Sequence, residues 1–172
     1  STRHIARIVV HPKNPDILLL AAQGALYAPN KERGIYKSTD GGATWKQTLY
    51  VDERTGAAEL SMDPNNPRIL YAAMWEHGRL PWKVISGGPG SGLYKSTDLG
   101  ETWTKMTEGL PTKMGKMSIA VSRSNSEKVY ALIETDSNED DRGLYVSTNA
   151  GKSWSHVTDE PRLVQRAWYY IE

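Results

Sequence analysis

Short apolar runs recur along the whole chain, separated by clusters of turn-forming residues. Each run is roughly four to seven residues long and rich in aliphatic, β-branched or aromatic side chains, as in Ile17–Ala22 (ILLLAA). Gly, Pro and Asn fill the turns between runs, as in HPKNPD and DPNNPR. Because no window shows a 3.6-residue apolar period with helix caps, the pattern predicts strands joined by tight turns.

The apolar runs are organised into repeats, because two segments appear three times in the same order. The first contains the paired apolar runs (IVVHPKNPDILLLAA in its first copy), and the second reads GIYKST, GLYKST and GLYVST. Copies of the first lie at Ile8–Ala22, Leu60–Met74 and Ile119–Ile133, and copies of the second begin at Gly34, Gly92 and Gly143. Each repeat therefore predicts three strands, and a fourth begins at the tryptophan that closes the next motif.

That third motif is a turn that reads STDGGATW, STDLGETW and STNAGKSW. Its Asp, or the Asn of the third copy, can accept hydrogen bonds from backbone N–H groups a few residues on. The Gly that all three copies share can adopt a positive φ. We predict that these side chains are structural and that each Trp ring is buried between adjacent sheets. The residues are Ser38, Asp40, Gly42, Thr44, Trp45, Ser96, Asp98, Gly100, Thr102, Trp103, Ser147, Asn149, Gly151, Ser153 and Trp154.

Four antiparallel strands repeated at roughly 40–60 residues are typical of β-propeller blades. We predict an all-β arc of three four-stranded antiparallel blades, with boundaries near 3–50, 57–108 and 116–158, and with 166–172 beginning a next blade. Since closed propellers have about four to eight blades, the arc is expected to be part of a larger propeller. The remaining blades would come from the same chain or from homo-oligomerisation.

Composition excludes several classes of function. The formal net charge is +1, which gives no electrostatic basis for binding nucleic acid or an anionic membrane surface. The chain has no cysteine, so it has no disulfide framework and no thiolate site. No apolar run approaches the roughly 20 residues that cross a bilayer. The glycine-rich stretch SGGPGSG does not match a phosphate-binding motif, and no cofactor is predicted.

The turn motif Ser/Thr-x-Asp-x-Gly-x-Thr-Trp resembles the Asp-box, or BNR repeat, of sialidases, xyloglucanases and the sortilin ectodomain. The segments VVHPKNPDILLLAA, RGIYKSTDGGATWK, SMDPNNPRILYAAMWE and SGGPGSGLYKSTDLGETW are similar to a bacterial group of sortilin-like or glycosyl-hydrolase-like propellers. The resemblance covers essentially the whole chain. It implies the propeller fold and a secreted or periplasmic location, and it leaves activity open because the same turn occurs in proteins of unrelated function.

Loops between second and third strands, together with loops between blades, fall on one face, which is where propellers usually bind ligands. They are Gln23–Arg33, Trp75–Ser91 and Glu134–Arg142 within blades, and Val51–Ala58, Glu108–Lys116 and Asp159–Arg166 between blades. The Trp75–Ser91 insertion combines aromatic rings with polar groups, as a groove for a glycan or a peptide requires. Candidate ligand-binding residues are Trp75, Glu76, His77, Arg79, Trp82 and Lys83. The alternative is that its two tryptophans pack the loop against neighbouring blades.

A glycoside hydrolase needs two carboxylates facing each other across a cleft. Candidates on the loop face are Asp52, Glu53, Glu59, Glu76 and Glu134, and no spacing pairs any two of them. A sialidase would also need an arginine cluster, for which Arg3, Arg7 and Arg166 are candidates; these arginines could equally cap strands or pair with Glu59.

The acidic loop Glu134–Arg142 contains Asp136, Asn138 and Asp140, an alternation that resembles the start of a calcium loop. Asp141 stands where the tight-turn Gly should be, so we predict a solvated loop and no metal. Two functions remain open. The first is a sortilin-like module that binds a glycan or peptide. The second is part of a xyloglucanase-like or sialidase-like hydrolase whose catalytic carboxylates lie partly outside this chain.

Overall fold

The computed structural model describes residues 2–135 and 141–171. Three antiparallel sheets follow one another along the chain, each with its strands in sequence order. The first contains β1 (His4–Val10), β2 (Leu18–Gly24), β3 (Gly34–Ser38) and β4 (Lys46–Leu49). The second contains β5 (Thr55–Met62), β6 (Leu70–Leu80), β8 (Gly92–Ser96) and β9 (Thr104–Met106), with β7 (Lys83–Ser86) paired to β6. The third contains β10 (Met117–Val121), β11 (Val129–Ile133), β12 (Gly143–Ser147) and β13 (Ser155–Thr158). These sheets confirm the predicted all-β fold of three blades.

The core consists of two apolar layers, one between each pair of successive sheets. Successive side chains of a strand point to opposite faces, so alternate residues of β2 contact different neighbours. Leu19 and Ala21 are buried against Leu60 and Leu70 of the second sheet. The second layer joins residues of the second and third sheets, among them Tyr71, Leu93, Ile119, Val129 and Ile133. Each sheet is therefore stabilised mainly by its neighbours in the arc.

The Trp of the second and third turns packs against the preceding sheet, and the presence of that sheet decides how far each ring is buried. Trp154 is 5% exposed in the layer between the second and third sheets, and Trp103 is half-buried against the layer between the first and second. Trp45 is 38% exposed, because no sheet precedes its own in the described chain. The prediction of a buried ring is correct for Trp154 and wrong for Trp45.

The insertion predicted as a loop forms a β-hairpin instead. Strand β6 continues to Leu80, the chain turns at Pro81 and Trp82, and β7 pairs with β6 from His77↔Ser86 to Leu80↔Lys83. Pairing satisfies the backbone donors and acceptors that an irregular loop of this length would leave to solvent. The hairpin projects from the loop face of the second sheet.

The segment predicted to begin a next blade contains a helix where a strand was expected. After a 3₁₀ turn at Pro161–Leu163, α1 spans Ala167–Tyr170. A helix satisfies its own backbone hydrogen bonds, whereas a strand requires a neighbouring strand, and none lies beside this segment in the described chain. Val164, Ala167 and Ile171 form a buried cluster against Leu132, so the segment covers part of the third sheet.

Each turn motif is closed by hydrogen bonds within itself. In the first, Ser38 Oγ donates to Asp40 Oδ1 at 2.7 Å, and Asp40 accepts from Thr44 N at 2.9 Å and Thr44 Oγ1 at 2.5 Å. Asp98 makes the same set with Ser96 and Thr102. These donors stabilise the ionised form, so they lower the pKa of Asp40 to about 2 and hold that of Asp98 well below its usual range. Both carboxylates are used inside their turns.

We expect Asp98→Asn to reduce the loss of stability in acid. A lowered folded-state pKa adds stability above the unfolded pKa of about 4, and that stability is lost as pH falls toward the folded value. The amide should keep the turn without titrating, because Asn149 already does so in the third turn: its Oδ1 accepts from Ser153 N at 2.9 Å and its Nδ2 donates to Ser153 Oγ at 2.8 Å. Thermal melting at pH 6 and pH 3 should show a smaller drop in Tm for the variant.

Asn149→Asp is the matched control, since it adds a titrating carboxylate to the third turn and should enlarge the drop in Tm. An unchanged drop in both variants would mean that the turn carboxylates do not contribute to acid sensitivity.

Candidate ligand-binding site

A cavity of about 260 Å³ lies on the loop face, between the β2–β3 loop and the β6–β7 hairpin. Apolar and charged side chains both line it. The lining residues are Leu26, Tyr27, Ala28, Pro29, Arg33, Arg54, Glu76, His77, Gly78, Arg79, Leu80 and Ile85. The cavity therefore combines one predicted loop, one interblade loop and the predicted insertion. Its volume suits a single sugar ring or one side chain better than an oligomer.

Arg33 holds the loop and the hairpin together from inside the wall. It is 1% exposed, and all of its donors contact neutral acceptors. They reach Asn30 Oδ1 at 3.1 Å, the carbonyl oxygens of Ala25 at 2.6 Å, Ala28 at 3.3 Å and Arg54 at 2.7 Å, and Nε2 of His77 at 3.4 Å. Burial lowers the pKa of Arg33, and the charge of Asp52 offsets this in part. The guanidinium remains a cation whose charge acts on the cavity.

His77 is a buried, neutral wall residue. Its ring stacks on Trp75, with centroids 4.4 Å apart and planes at 17°. Burial, with the nearby charge of Arg33, lowers the pKa of His77 to about 4, so the imidazole is uncharged at pH 7. A tautomer with hydrogen on Nδ1 donates to the Trp75 carbonyl at 3.1 Å and leaves Nε2 as an acceptor for Arg33 at 3.4 Å. His77 therefore positions Arg33.

The predicted ligand-binding residues separate into three groups. The first group is buried: Trp75 is 1% exposed and His77 is 3% exposed. For Trp75 the alternative prediction, that it packs inside the protein, is therefore correct. Its indole N–H donates to Ser86 Oγ at 3.1 Å, and Trp168 packs edge-on at 4.7 Å. Glu76 and Arg79 line the cavity. Trp82, 81% exposed, and the exposed Lys83 lie at the hairpin tip, outside the lining.

Three aromatic or cationic residues of the cavity were not named in the sequence analysis: Tyr27, Arg33 and Arg54. Tyr27 is 76% exposed at the rim, and the Arg54 side chain is also exposed. Tyr27 and Arg33 belong to the Gln23–Arg33 loop and Arg54 to the Val51–Ala58 loop, so both loops were identified but not their residues.

Most candidate carboxylates are committed to structural contacts. Glu59 is 6% exposed and forms a bidentate ion pair with Arg7, at 2.7 and 2.9 Å, which was one of the expected alternatives for that arginine. Asp52 Oδ1 accepts from the backbone N–H groups of Arg54 and Thr55 at 2.7 and 2.8 Å. Glu134 Oε2 accepts from Lys116 N at 2.8 Å and from Ser86 Oγ.

Among the described residues, Glu76 is the one carboxylate that lines the cavity, and its Oε2 accepts from Gly90 N at 3.1 Å. Glu53 is exposed and outside the lining, as are the expected arginines Arg3 and Arg166. In the part of the chain that the structure describes, the cavity therefore has neither the facing carboxylate pair of a glycosidase nor the arginine set that the sequence analysis named.

Asp136, Asn138 and Asp140, the calcium candidates, lie outside the described residues. Within residues 2–135 and 141–171, no group of three or more His, Asp or Glu side chains is arranged to hold a metal ion. No helix in these ranges is long and apolar enough to cross a membrane.

Relatives of the chain include xyloglucanases. Xyloglucanase Xgh74A of Acetivibrio thermocellus is 28% identical over 190 residues, covering 92% of this chain and 20% of that protein. The crystal structure of an ancestral GH74 enzyme superposes with a TM-score of 0.65 at 20% identity, covering 90% of this chain and 18% of that one. YCF48 from Cyanidioschyzon merolae superposes with a TM-score of 0.52 at 17% identity, covering 94% of this chain and 43% of that one. The chain spans about a fifth of the length of the xyloglucanase it matches.

A family model agrees with the repeat pattern and the fold. The model described as Sortilin-Vps10 (sortilin, neurotensin receptor 3) matches residues 35–169, which include the second and third blades and all three turn motifs. The resemblance drawn from the Asp-box turns is confirmed by this match and by the GH74 relatives. The chain belongs to the sortilin–Vps10 family.

Proposed function

We propose that this chain is an arc of a larger propeller and that it binds a glycan on the face that carries the β6–β7 hairpin. The observation that carries the proposal is the cavity on that face, with the exposed rings of Tyr27 at its rim and Trp82 at the hairpin tip. Exposed aromatic rings beside polar groups suit the alternating apolar and hydroxyl surfaces of a sugar. The xyloglucanase relatives support a glycan over a peptide.

The outward face of the first sheet supports completion of the arc by further blades. Ile8 is 55% exposed and Val10 is 50% exposed. Leu60 and Ile119, which occupy the repeat position of Ile8, are 2% and 4% exposed because a preceding sheet covers them. An apolar face of this kind is covered in stable proteins. We propose that the remaining blades belong to the same gene product. We also propose that this protein is located outside the cytoplasm.

Replacing the exposed rings should weaken glycan binding without affecting folding. In calorimetric titration of the whole gene product with a panel of plant-polysaccharide oligosaccharides, we expect Tyr27→Ala and Trp82→Ala each to reduce affinity by about tenfold, since a stacked ring contributes about 1 kcal/mol or more. Tyr27→Phe and Trp82→Tyr are the matched controls, because they keep a ring and should keep most of the affinity. Unchanged affinity in both alanine variants would refute the proposed face.

A second candidate function is glycoside hydrolysis, which the xyloglucanase relatives favour. In that case the catalytic pair would include carboxylates outside the described residues, since Glu76 is the only one that lines the cavity. Turnover of xyloglucan by the gene product, with loss of kcat in Glu76→Gln, would establish hydrolysis at this face. Binding without turnover would restrict the function to recognition.

A further inference from the structure

The cavity carries an excess of positive charge. Arg33, Arg54 and Arg79 line it, against the single carboxylate of Glu76, and His77 is neutral. No carboxylate lies within 4 Å of any of the three guanidinium groups in the described parts of the chain. Glu76 is turned toward the 88–90 backbone, since a Cβ built on Gly88 would lie 2.1 Å from its Oε2. The cations therefore remain uncompensated by a paired carboxylate.

The three arginines have different roles. Arg33 has its donors occupied by carbonyl groups, Asn30 and His77, so it contributes charge and rigidity without a direct contact to a ligand. The side chain of Arg54 lines the cavity and is exposed. Arg79 donates one Nη1 hydrogen bond, to Tyr169 Oη at 3.1 Å, which orients its guanidinium on the hairpin. Arg54 and Arg79 are the donors that remain for a ligand.

Apolar groups complete the lining. Leu26, Pro29, Leu80 and Ile85 lie beside the cations, and the apolar part of the lining is the larger. A ligand that fits must present one anionic group and a compact, partly apolar body within about 260 Å³. A guanidinium fork matches a planar carboxylate in two parallel hydrogen bonds.

We propose that the cavity binds a sugar bearing a carboxylate, that is, a uronic acid unit of an acidic glycan, with its carboxylate at Arg54 and Arg79 and its ring against the apolar wall near Tyr27. This inference rests on the proposed glycan-binding function and names the class of glycan. A neutral sugar would leave the charge of Arg33 uncompensated, whereas a uronate neutralises it inside a partly desolvated site where the interaction is least screened.

The test uses D-glucuronate and D-glucose, which differ in the carboxylate. We expect saturation-transfer NMR titration of the gene product to give at least about tenfold tighter binding of glucuronate, weakening as salt rises from 0.05 to 0.5 M. Arg54→Gln and Arg79→Gln should each weaken glucuronate binding by about tenfold and bring it toward the affinity for glucose. Arg68→Gln is the matched control: Arg68 is also exposed and precedes β6, so it lies toward the end of that strand opposite Arg79, and it should change neither.

The outcomes separate this inference from the proposed function. Equal binding of glucose and glucuronate would overturn the uronate assignment and leave glycan binding intact. No binding of either sugar, together with no binding of the oligosaccharide panel, would overturn both. A peptide carboxyl terminus presents the same carboxylate as a uronic acid, so the titration is repeated with N-acetylleucine. N-acetylleucinamide, which lacks the carboxylate, is its control. Tighter binding of N-acetylleucine than of glucuronate would assign the cavity to peptides and overturn the sugar.

Discussion

Gly34→Ala is expected to destabilise the protein by about 3–5 kcal/mol. Gly34 begins β3 with φ of +120°, and a Cβ built there lies 2.0 Å from the backbone oxygen of Leu49 on β4. An L-residue is strained at that φ, and the carbonyl cannot move without breaking the β3–β4 pairing. Chemical denaturation of the gene product should show the loss as a lower midpoint. Gly143, at the same position of the third blade, has φ of +126° and meets the Thr158 oxygen at 2.0 Å, so Gly143→Ala should behave alike.

Gly92→Ala is the control within the same motif. The first obstacle to a Cβ on Gly92 is Lys105 Cε at 2.5 Å, near the end of a flexible side chain, and no positive φ is required. We expect its effect to stay within about 1 kcal/mol of zero. If Gly34→Ala and Gly92→Ala proved equally harmful, the glycine of this motif would be required for a reason other than its clash and its φ.

Trp154→Ala is expected to cost about 3–5 kcal/mol, because it removes a buried ring from the layer between the second and third sheets. Tyr71 and Met106 lie at this layer, and Gly151 of the same turn approaches both, with a built Cβ 2.8 Å from Met106 Sδ and 3.1 Å from Tyr71 Cε1. The tight fit leaves little room for collapse into the space that the indole vacates. Denaturation midpoints, with the slope unchanged, measure the loss.

Trp45→Ala and Trp103→Ala complete this series. Because Trp45 is 38% exposed, Trp45→Ala should lower the free energy of unfolding of the arc by about 1 kcal/mol or less. Trp103 is half-buried, so the loss in Trp103→Ala should lie between those of Trp45→Ala and Trp154→Ala. In a gene product that supplies a preceding blade, the cost at Trp45 should rise toward that at Trp154. Equal costs for Trp45 and Trp154 in the arc would mean that ring burial does not control the contribution of these turns.

The sequence predicted the strands well because each strand is bounded by a local signal. The GIYKST motif became β3, and its equivalents became β8 and β12. The turn chemistry is also local, since Asp40 and Asp98 accept hydrogen bonds from residues within four positions of themselves. These strands and turns depend on residues that are close along the chain, so they could be predicted from the sequence.

The features that were missed depend on neighbours in space. Trp45 and Trp154 occupy the same place in the same motif, and only the presence of a preceding sheet separates their burial. The residues of α1 lie in a run of aromatic and β-branched side chains that is typical of a strand, and no helix cap marks its start. Arg33 reads as the polar end of a loop, and its burial follows from the hairpin that brings His77 over it. The cavity could not be predicted because it joins three separate segments.

The crystal structure of the gene product with a bound xyloglucan oligosaccharide or glucuronate tests the central claim, that ligand binds at the hairpin face, most directly. The account predicts a sugar ring in contact with Tyr27 and within hydrogen-bond distance of Arg54 or Arg79. Ligand bound only at another face, with this cavity empty at saturating concentration, would contradict it.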